Sequence, residues 1–299
     1  MLVFPSFRLA SKTDFTPDQY SKFGFNHIQF VGEWDVINQH LKGDERNYVA
    51  KRWRKSLKYL SPDYGSVTNN TDGSPTDWVN YYIKNNNRAP ILIDVEMEDH
   101  ELYERIAKNQ NRFLPGINWS FWGYAPDPFT TNRIWFKQMY DQWNYLSRSQ
   151  VTRTLKEQKP VADRMGFSTV VAYALAGRVN REFDLNKFEQ SYYYWLNDSA
   201  ELVRSIYHRP VYVCISPQPH PGAERTYYRK NGLLIGGDYF NEDVWCAQLR
   251  VVQSLYKAGV IQGCICWQMY ATDFGISDDW LQSLIDLAND NPIELGFSH

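Results

Sequence analysis

The sequence predicts a single α/β domain over residues 1–299, folded as a (β/α)8 TIM barrel. Apolar, β-branched or aromatic runs bounded by turn residues recur eight times, and helical patterns separate most of them. Several runs are apolar on both faces, as parallel strands covered on both sides require. No glycine-rich phosphate loop follows any run, which disfavours an open nucleotide-binding sheet.

The elements follow the apolar pattern along the chain. Among the predicted helices, 241–259 is the clearest, with Asn241 as N-cap and Gly259 at its end. The segment 217–231 is rich in Pro and Gly, which predicts an irregular connection between strands 6 and 7. The other predicted helices span 44–60, 132–146 and 198–207, and the strands span about 2–7, 27–31, 91–96, 117–122, 168–175, 211–216, 233–238 and 264–268.

Composition excludes several classes of partner. The chain is 43% hydrophobic and 22% charged with a formal net charge of -2, which gives no electrostatic basis for binding nucleic acid or an anionic membrane. No transmembrane stretch and no signal peptide are visible, and neither the localisation nor the oligomeric state follows from the sequence. The six histidines form no spaced pair, so no metal or other cofactor is predicted. The cysteines are predicted to be buried thiols: Cys214, Cys246, Cys264 and Cys266.

The segment 91–98 places carboxylates at alternate positions at the end of an apolar strand. Side chains alternate across a strand, so Asp94 and Glu96 share one face. Repulsion between them and partial burial raise the pKa of one carboxyl group, as a general acid requires. A polar loop that caps the next helix through Asp99 is the alternative, but it does not account for Asp94 inside the apolar run.

Further polar and aromatic residues follow or end the predicted strands, where a barrel forms its active site. Carboxylates surrounded by Trp and Tyr are typical of a site that cleaves sugars, so the expected partner is a polysaccharide or glycan. The candidates besides Asp94 and Glu96 are Glu33, Trp119, Trp122, Tyr124, Tyr173, Asp238, Tyr239, Trp267, Gln268 and Tyr270.

The tripeptide Asp94-Val95-Glu96 resembles the acidic motif of the hyaluronidase-type and chitinase-type glycoside hydrolases, and more distantly that of family 25 lysozymes. The segments 122–126, 168–175, 209–213 and 264–267 are similar to hyaluronidase segments. The resemblance implies that Glu96 protonates the glycosidic oxygen and that Asp94 orients the N-acetyl group of an N-acetylated amino sugar, whose carbonyl attacks the anomeric carbon. It also implies that Tyr173 donates a hydrogen bond to that group and that Trp267 forms the floor of the sugar pocket.

Two other functions are compatible with the same residues. In one, an ordinary pair of carboxylates performs retaining or inverting hydrolysis, with Glu96 acting together with Asp238 or Glu242. In the other, the barrel binds glycans through its aromatic residues without cleaving them.

Overall fold

The structure is a computed structural model that describes residues 1–5, 21–22, 24–26, 28–31, 89–93, 100–113, 115–122, 148–172, 183–218, 225–235, 239–266 and 278–293. The predicted helices 44–60 and 132–146 lie outside these residues. The chain divides into two compact units. The first contains Met1–Ile28, Gly123–Lys159 and Phe167–His299, and the second contains Gln29–Trp122 and Pro160–Gly166. The single domain over residues 1–299 stays a prediction.

The described residues form a mixed α/β fold, and each predicted strand overlaps an observed one. None of the described helices has the length and apolar character needed to cross a membrane. In chain order the elements are β1 (Leu2–Pro5), β2 (Gln29–Val31), β3 (Ile91–Ile93), α1 (His100–Phe113), β4 (Trp119–Phe121), α2 (Arg148–Ala162), β5 (Ser168–Val171), α3 (Leu185–Tyr207), β6 (Val211–Ile215), α4 (Arg225–Lys230), β7 (Leu234–Ile235), β8 (Tyr239–Phe240), α5 (Glu242–Lys257), β9 (Gly263–Cys266) and α6 (Asp278–Ala288).

The first unit contains a four-stranded parallel sheet in the order β1-β9-β6-β5. Leu2 pairs with Gly263, and a Cβ atom on Gly263 would lie 1.9 Å from the carbonyl oxygen of Leu2. Glycine at this position therefore allows the first and last strands to approach. All residues of β5 and β9 are buried, as expected for parallel strands with both faces covered.

The seventh strand does not pair in the structure as the sequence predicts. The structure forms a two-residue strand, β7, that pairs antiparallel with β8, and β9 pairs directly with β6. The sequence predicts irregularity at this point, but the prediction of a seventh parallel strand is wrong. The physical reason is that β6 already pairs with β5 on one edge and with β9 on the other, so neither edge of β6 is left for a seventh parallel strand. The described strands form no closed barrel; they form sheets of four, three and two strands.

Helices α3 and α5 pack against each other in the first unit. Helix α5 begins after Asn241, whose side chain accepts a hydrogen bond from the Val244 amide at 3.1 Å, as the sequence predicts. Helix α3 is longer than the predicted 198–207, because Asp184 caps it and accepts a hydrogen bond from the Lys187 amide. Between the two helices, the Arg250 guanidinium donates to the Glu189 carboxylate through two nitrogens, which forms a forked ion pair.

The second unit contains a three-stranded parallel sheet in the order β2-β3-β4. Every residue of β3 and β4 is buried, so this sheet forms the core of the unit. The chain returns to the sheet after α2, where the Gly166 amide donates to the Trp119 carbonyl at 2.9 Å. A Cβ atom on Gly166 would lie 3.1 Å from the Cα atom of Asn118, so glycine permits this close contact.

Candidate active site

The carboxyl ends of β2, β3 and β4 lie at one level of the second unit. Val31 pairs with Ile93, and Ile93 pairs with Phe121. The Trp122 amide donates to the Ile93 carbonyl at 2.8 Å, which extends the ladder by one step. Ile93 is fully buried, and Asp94 follows it directly in the sequence. The backbone of Trp122 is thus fixed beside the peptide that leads into the acidic motif.

Strand β3 begins after Pro90 for a clear local reason. Proline has no amide hydrogen, so it cannot donate to a ladder and commonly precedes or begins a strand. The Ile91 amide, which follows the proline, donates to the Asn118 carbonyl at 2.9 Å. The strand then contains three residues with no exposed side-chain surface, Ile91–Ile93. Carboxylates cannot continue such a buried run without a partner or a change of protonation state.

Several predicted site residues lie outside the described residues, although the strand ends that precede them are described. Ile93 precedes Asp94, Ala172 precedes Tyr173, and Cys266 precedes Trp267. Each of these three preceding residues is fully buried. The predicted site residues outside the described part are Glu33, Asp94, Glu96, Tyr124, Tyr173, Asp238, Trp267, Gln268 and Tyr270.

Trp119 lies at the first residue of β4, the opposite end of the strand from Trp122. Its side chain is 1% exposed, and its indole N–H donates to the Asn111 side-chain oxygen at 2.7 Å. The ring also meets Phe121 edge-on, with centroids 5.3 Å apart. These contacts give Trp119 a packing role between β4 and α1, whereas Trp122 is only partly buried. Their predicted contacts with substrate stay predictions.

Tyr239 and Glu242 lie beside the β7-β8 hairpin. Tyr239 is 2% exposed and pairs with Ile235. The next residue, Phe240, donates its amide to the Pro217 carbonyl just beyond β6, which joins the hairpin to that strand end. Glu242 is the first residue of α5, where a carboxylate interacts favourably with the helix dipole. This position accounts for an acidic residue at 242 without catalysis, and its predicted catalytic role stays a prediction.

One functional candidate in the first unit was not predicted from the sequence. The Tyr192 hydroxyl of α3 donates to the Ala172 carbonyl at 2.5 Å, at the exit of β5. The helical spacing of Phe188, Tyr192 and Trp195 indicates a buried face, but a partner 20 residues away cannot be read from that spacing.

The four cysteines are buried thiols that form no disulfide bond, as the sequence predicts. Burial raises the pKa of the Cys264 thiol to about 12 and that of the Cys266 thiol well above its ordinary value. Burial also raises the pKa of Cys246, whose sulfur lies 3.5 Å from the Ser283 hydroxyl. A thiolate is the reactive form, so these groups are not suited to nucleophilic catalysis near neutral pH.

We expect all four thiols to resist modification in the folded protein. At pH 7 a water-soluble disulfide reagent should react with fewer than about one thiol per chain over minutes, because burial shields all four thiols and the raised pKa of Cys246, Cys264 and Cys266 further suppresses attack. The same reagent in denaturant should release four equivalents, one for each cysteine of the sequence. Rapid reaction of Cys264 or Cys266 in the folded protein would contradict the described burial.

No group of three or more His, Cys, Asp or Glu side chains within the described ranges is arranged to hold a metal ion.

Comparison with known proteins found a structural likeness but no match in sequence. No protein-family model matches the chain, and no curated protein matches it. Among solved structures, the chain is similar to the monoclinic crystal structure of bee venom hyaluronidase, at 11% sequence identity and a TM-score of 0.42. The match covers 92% of this chain and 72% of the bee protein. A TM-score of this size assigns neither a fold nor an activity to this chain.

Proposed function

We propose that this protein is a glycoside hydrolase that cleaves a glycan containing N-acetylated amino sugars. Glu96 is the general acid, and Asp94 orients the acetamido group of the substrate. The observation that carries this proposal is the position of the acidic tripeptide, which directly follows Ile93 at the carboxyl end of a fully buried parallel strand.

The bounds of β3 support this assignment. In α/β folds with parallel strands, ligands bind beyond the carboxyl ends of the strands. β3 is the middle strand of its sheet, with β2 and β4 hydrogen-bonded on either side. A carboxylate that follows a central, buried strand has fewer routes to bulk water than one in an edge loop. Restricted hydration favours the protonated form, which a general acid needs before bond cleavage.

The proposed reaction has two steps that balance without a cofactor. In the first, the acetamido oxygen of the substrate attacks the anomeric carbon while the glycosidic C–O bond breaks, and the Glu96 proton passes to the leaving oxygen. Asp94 stabilises the positive charge that develops on the acetamido group. In the second, Glu96 removes a proton from water, whose oxygen attacks the anomeric carbon and releases the acetamido oxygen.

Two aromatic residues complete the proposed assignment. Tyr173 donates a hydrogen bond to the acetamido group, and Trp267 supplies an apolar platform for the sugar ring. Each directly follows a fully buried residue at the end of a parallel strand, Ala172 after β5 and Cys266 in β9. These sequence positions fit residues that leave the core at a functional edge.

We expect Asp94→Asn to lose about 10²-fold in rate on an N-acetylated polymer, because the amide cannot stabilise the developing positive charge. As the pH is raised, the activity of the variant should also begin to decline at a lower pH than that of the wild type. Removing the negative charge of Asp94 lowers the pKa of Glu96, so the protonated acid is lost earlier as the pH rises. The measurement is the initial rate against pH on a polymer of N-acetylglucosamine and on its de-acetylated counterpart.

Asp163→Asn is the matched control, because Asp163 is an exposed carboxylate in the turn after α2. Its rates should equal those of the wild type. Equal wild-type rates on both polymers, with only a slight loss in Asp94→Asn, would refute assistance by the substrate and favour the pair of carboxylates. Saturable glycan binding with no released reducing ends, on a broad panel of polysaccharides, would show a binding protein instead of a hydrolase.

A further inference from the structure

The peptide group of Ala172 is held on both sides as the chain leaves β5. Its amide donates to the Cys214 carbonyl of β6 at 2.7 Å, and its carbonyl accepts from the Tyr192 hydroxyl of α3 at 2.5 Å. Ala172 has no exposed surface, and Tyr173 is the next residue. Two different elements therefore fix the backbone immediately before a proposed catalytic residue.

The Tyr192 side chain has little freedom to move. It is 4% exposed, and its ring stacks on Phe188 with centroids 5.6 Å apart and planes 15° apart. Trp195 contacts the same ring, with centroids 5.5 Å apart. Burial raises the pKa of the Tyr192 hydroxyl well above its ordinary value, and the neighbouring Cys264 raises it further. The hydroxyl is thus protonated, and able to donate, at every pH at which a glycosidase would be assayed.

We infer that Tyr192 is a positioning residue, whose hydroxyl fixes the Ala172 carbonyl and thereby the direction in which the chain enters Tyr173. This inference rests on the proposed function, in which Tyr173 donates a hydrogen bond to the acetamido group. Such a bond aids the reaction only when the donor is held close to its productive position. Tyr192 does not contact the substrate in this proposal and acts through the backbone.

The test compares two Tyr→Phe variants in the same helix. Tyr192→Phe removes the hydroxyl and keeps the packed ring. Tyr207→Phe is the matched control, because Tyr207 is 1% exposed and its hydroxyl donates to the Gln158 side chain of α2 at 2.9 Å. On an N-acetylated polymer, Tyr192→Phe should lose about 10-fold in kcat with KM changed less than about 2-fold, and Tyr207→Phe should keep both constants.

A double-mutant cycle separates positioning from a general effect on folding. In a Tyr173→Phe background the donor is already absent, so Tyr192→Phe should cause no further loss of kcat. Phe188→Leu provides a second test of positioning. It removes the ring that stacks on Tyr192, so the Tyr192 side chain is held less firmly, but the hydroxyl is kept. It should cause a smaller loss of kcat that also disappears in the Tyr173→Phe background, which keeps the test decisive if Tyr192→Phe does not fold.

The outcomes distinguish this inference from the proposed function. A wild type that is active, with Tyr192→Phe equal to Tyr207→Phe, overturns the positioning role and leaves the hydrolase intact. Losses from Tyr192→Phe or Phe188→Leu that persist undiminished in the Tyr173→Phe background also overturn it. A wild type that cleaves no glycan overturns the proposed function, and the positioning role is then refuted with it.

Discussion

Glu96→Gln should reduce hydrolysis of the best substrate by about 10² to 10⁴-fold while folding and glycan affinity stay close to those of the wild type. The amide keeps the size and most of the hydrogen bonding of the carboxyl group, but it has no proton to give to the leaving oxygen. Initial rates of reducing-sugar release, together with equilibrium binding of an oligosaccharide, measure the two effects separately.

The matched control for this variant is Glu104→Gln. Glu104 lies on α1, is exposed, and forms a surface ion pair with Lys108 at 3.7 Å. Exposed pairs of this kind contribute little to stability, so the control should fold and react like the wild type. A Glu96→Gln variant that keeps more than half of the wild-type activity would remove Glu96 from the mechanism. Loss of folding in Glu96→Gln, detected by circular dichroism, would instead indicate a structural role.

Trp119→Ala should lower the free energy of unfolding by about 3 to 5 kcal/mol, because it removes the largest type of side chain from a fully buried position. The change also removes the indole donor to Asn111 and the edge-on contact with Phe121. Urea unfolding followed by fluorescence or circular dichroism measures the loss. We expect Trp119→Phe to be intermediate, since it keeps an aromatic ring but not the N–H group.

Tyr194→Ala is the control for loss of an aromatic ring, since Tyr194 is 50% exposed on α3. It should change the free energy of unfolding by no more than about 0.5 kcal/mol. An unchanged stability in Trp119→Ala with a marked loss of glycan affinity would contradict the packing role and support the substrate contact predicted from the sequence. Both results would be measured on the same protein preparations.

The positions of the strands could be predicted because they depend on local composition. Runs such as 168–175 and 211–216 combine β-branched residues with flanking turn residues, and β5 and β6 form within them. The start of α5 was also predictable from local sequence, since the Asn241 cap and its partner Val244 are three residues apart. Interactions over short sequence distances leave a pattern that can be read directly.

The partners of these strands could not be predicted in full, because pairing joins residues that are far apart in the sequence. The direct pairing of β6 with β9 depends on the hairpin formed by β7 and β8, which takes the seventh strand out of the parallel sheet. The site residues show the same limit. Trp119 and Trp122 look alike in sequence, yet the strand ends one residue before Trp122 and begins at Trp119.

The sequence alone determined the parallel α/β character, the buried thiols and the acidic tripeptide after an apolar strand, because each of these features depends on residues close together in the sequence. Only the tertiary structure decided that Asn111 accepts from the Trp119 indole, that the Trp122 amide donates to the Ile93 carbonyl and that the Tyr192 hydroxyl donates to the Ala172 carbonyl. Those hydrogen bonds depend on which buried donors and acceptors come together when the chain packs. A buried polar group must find a hydrogen-bond partner, but its own sequence neighbourhood does not specify where that partner lies.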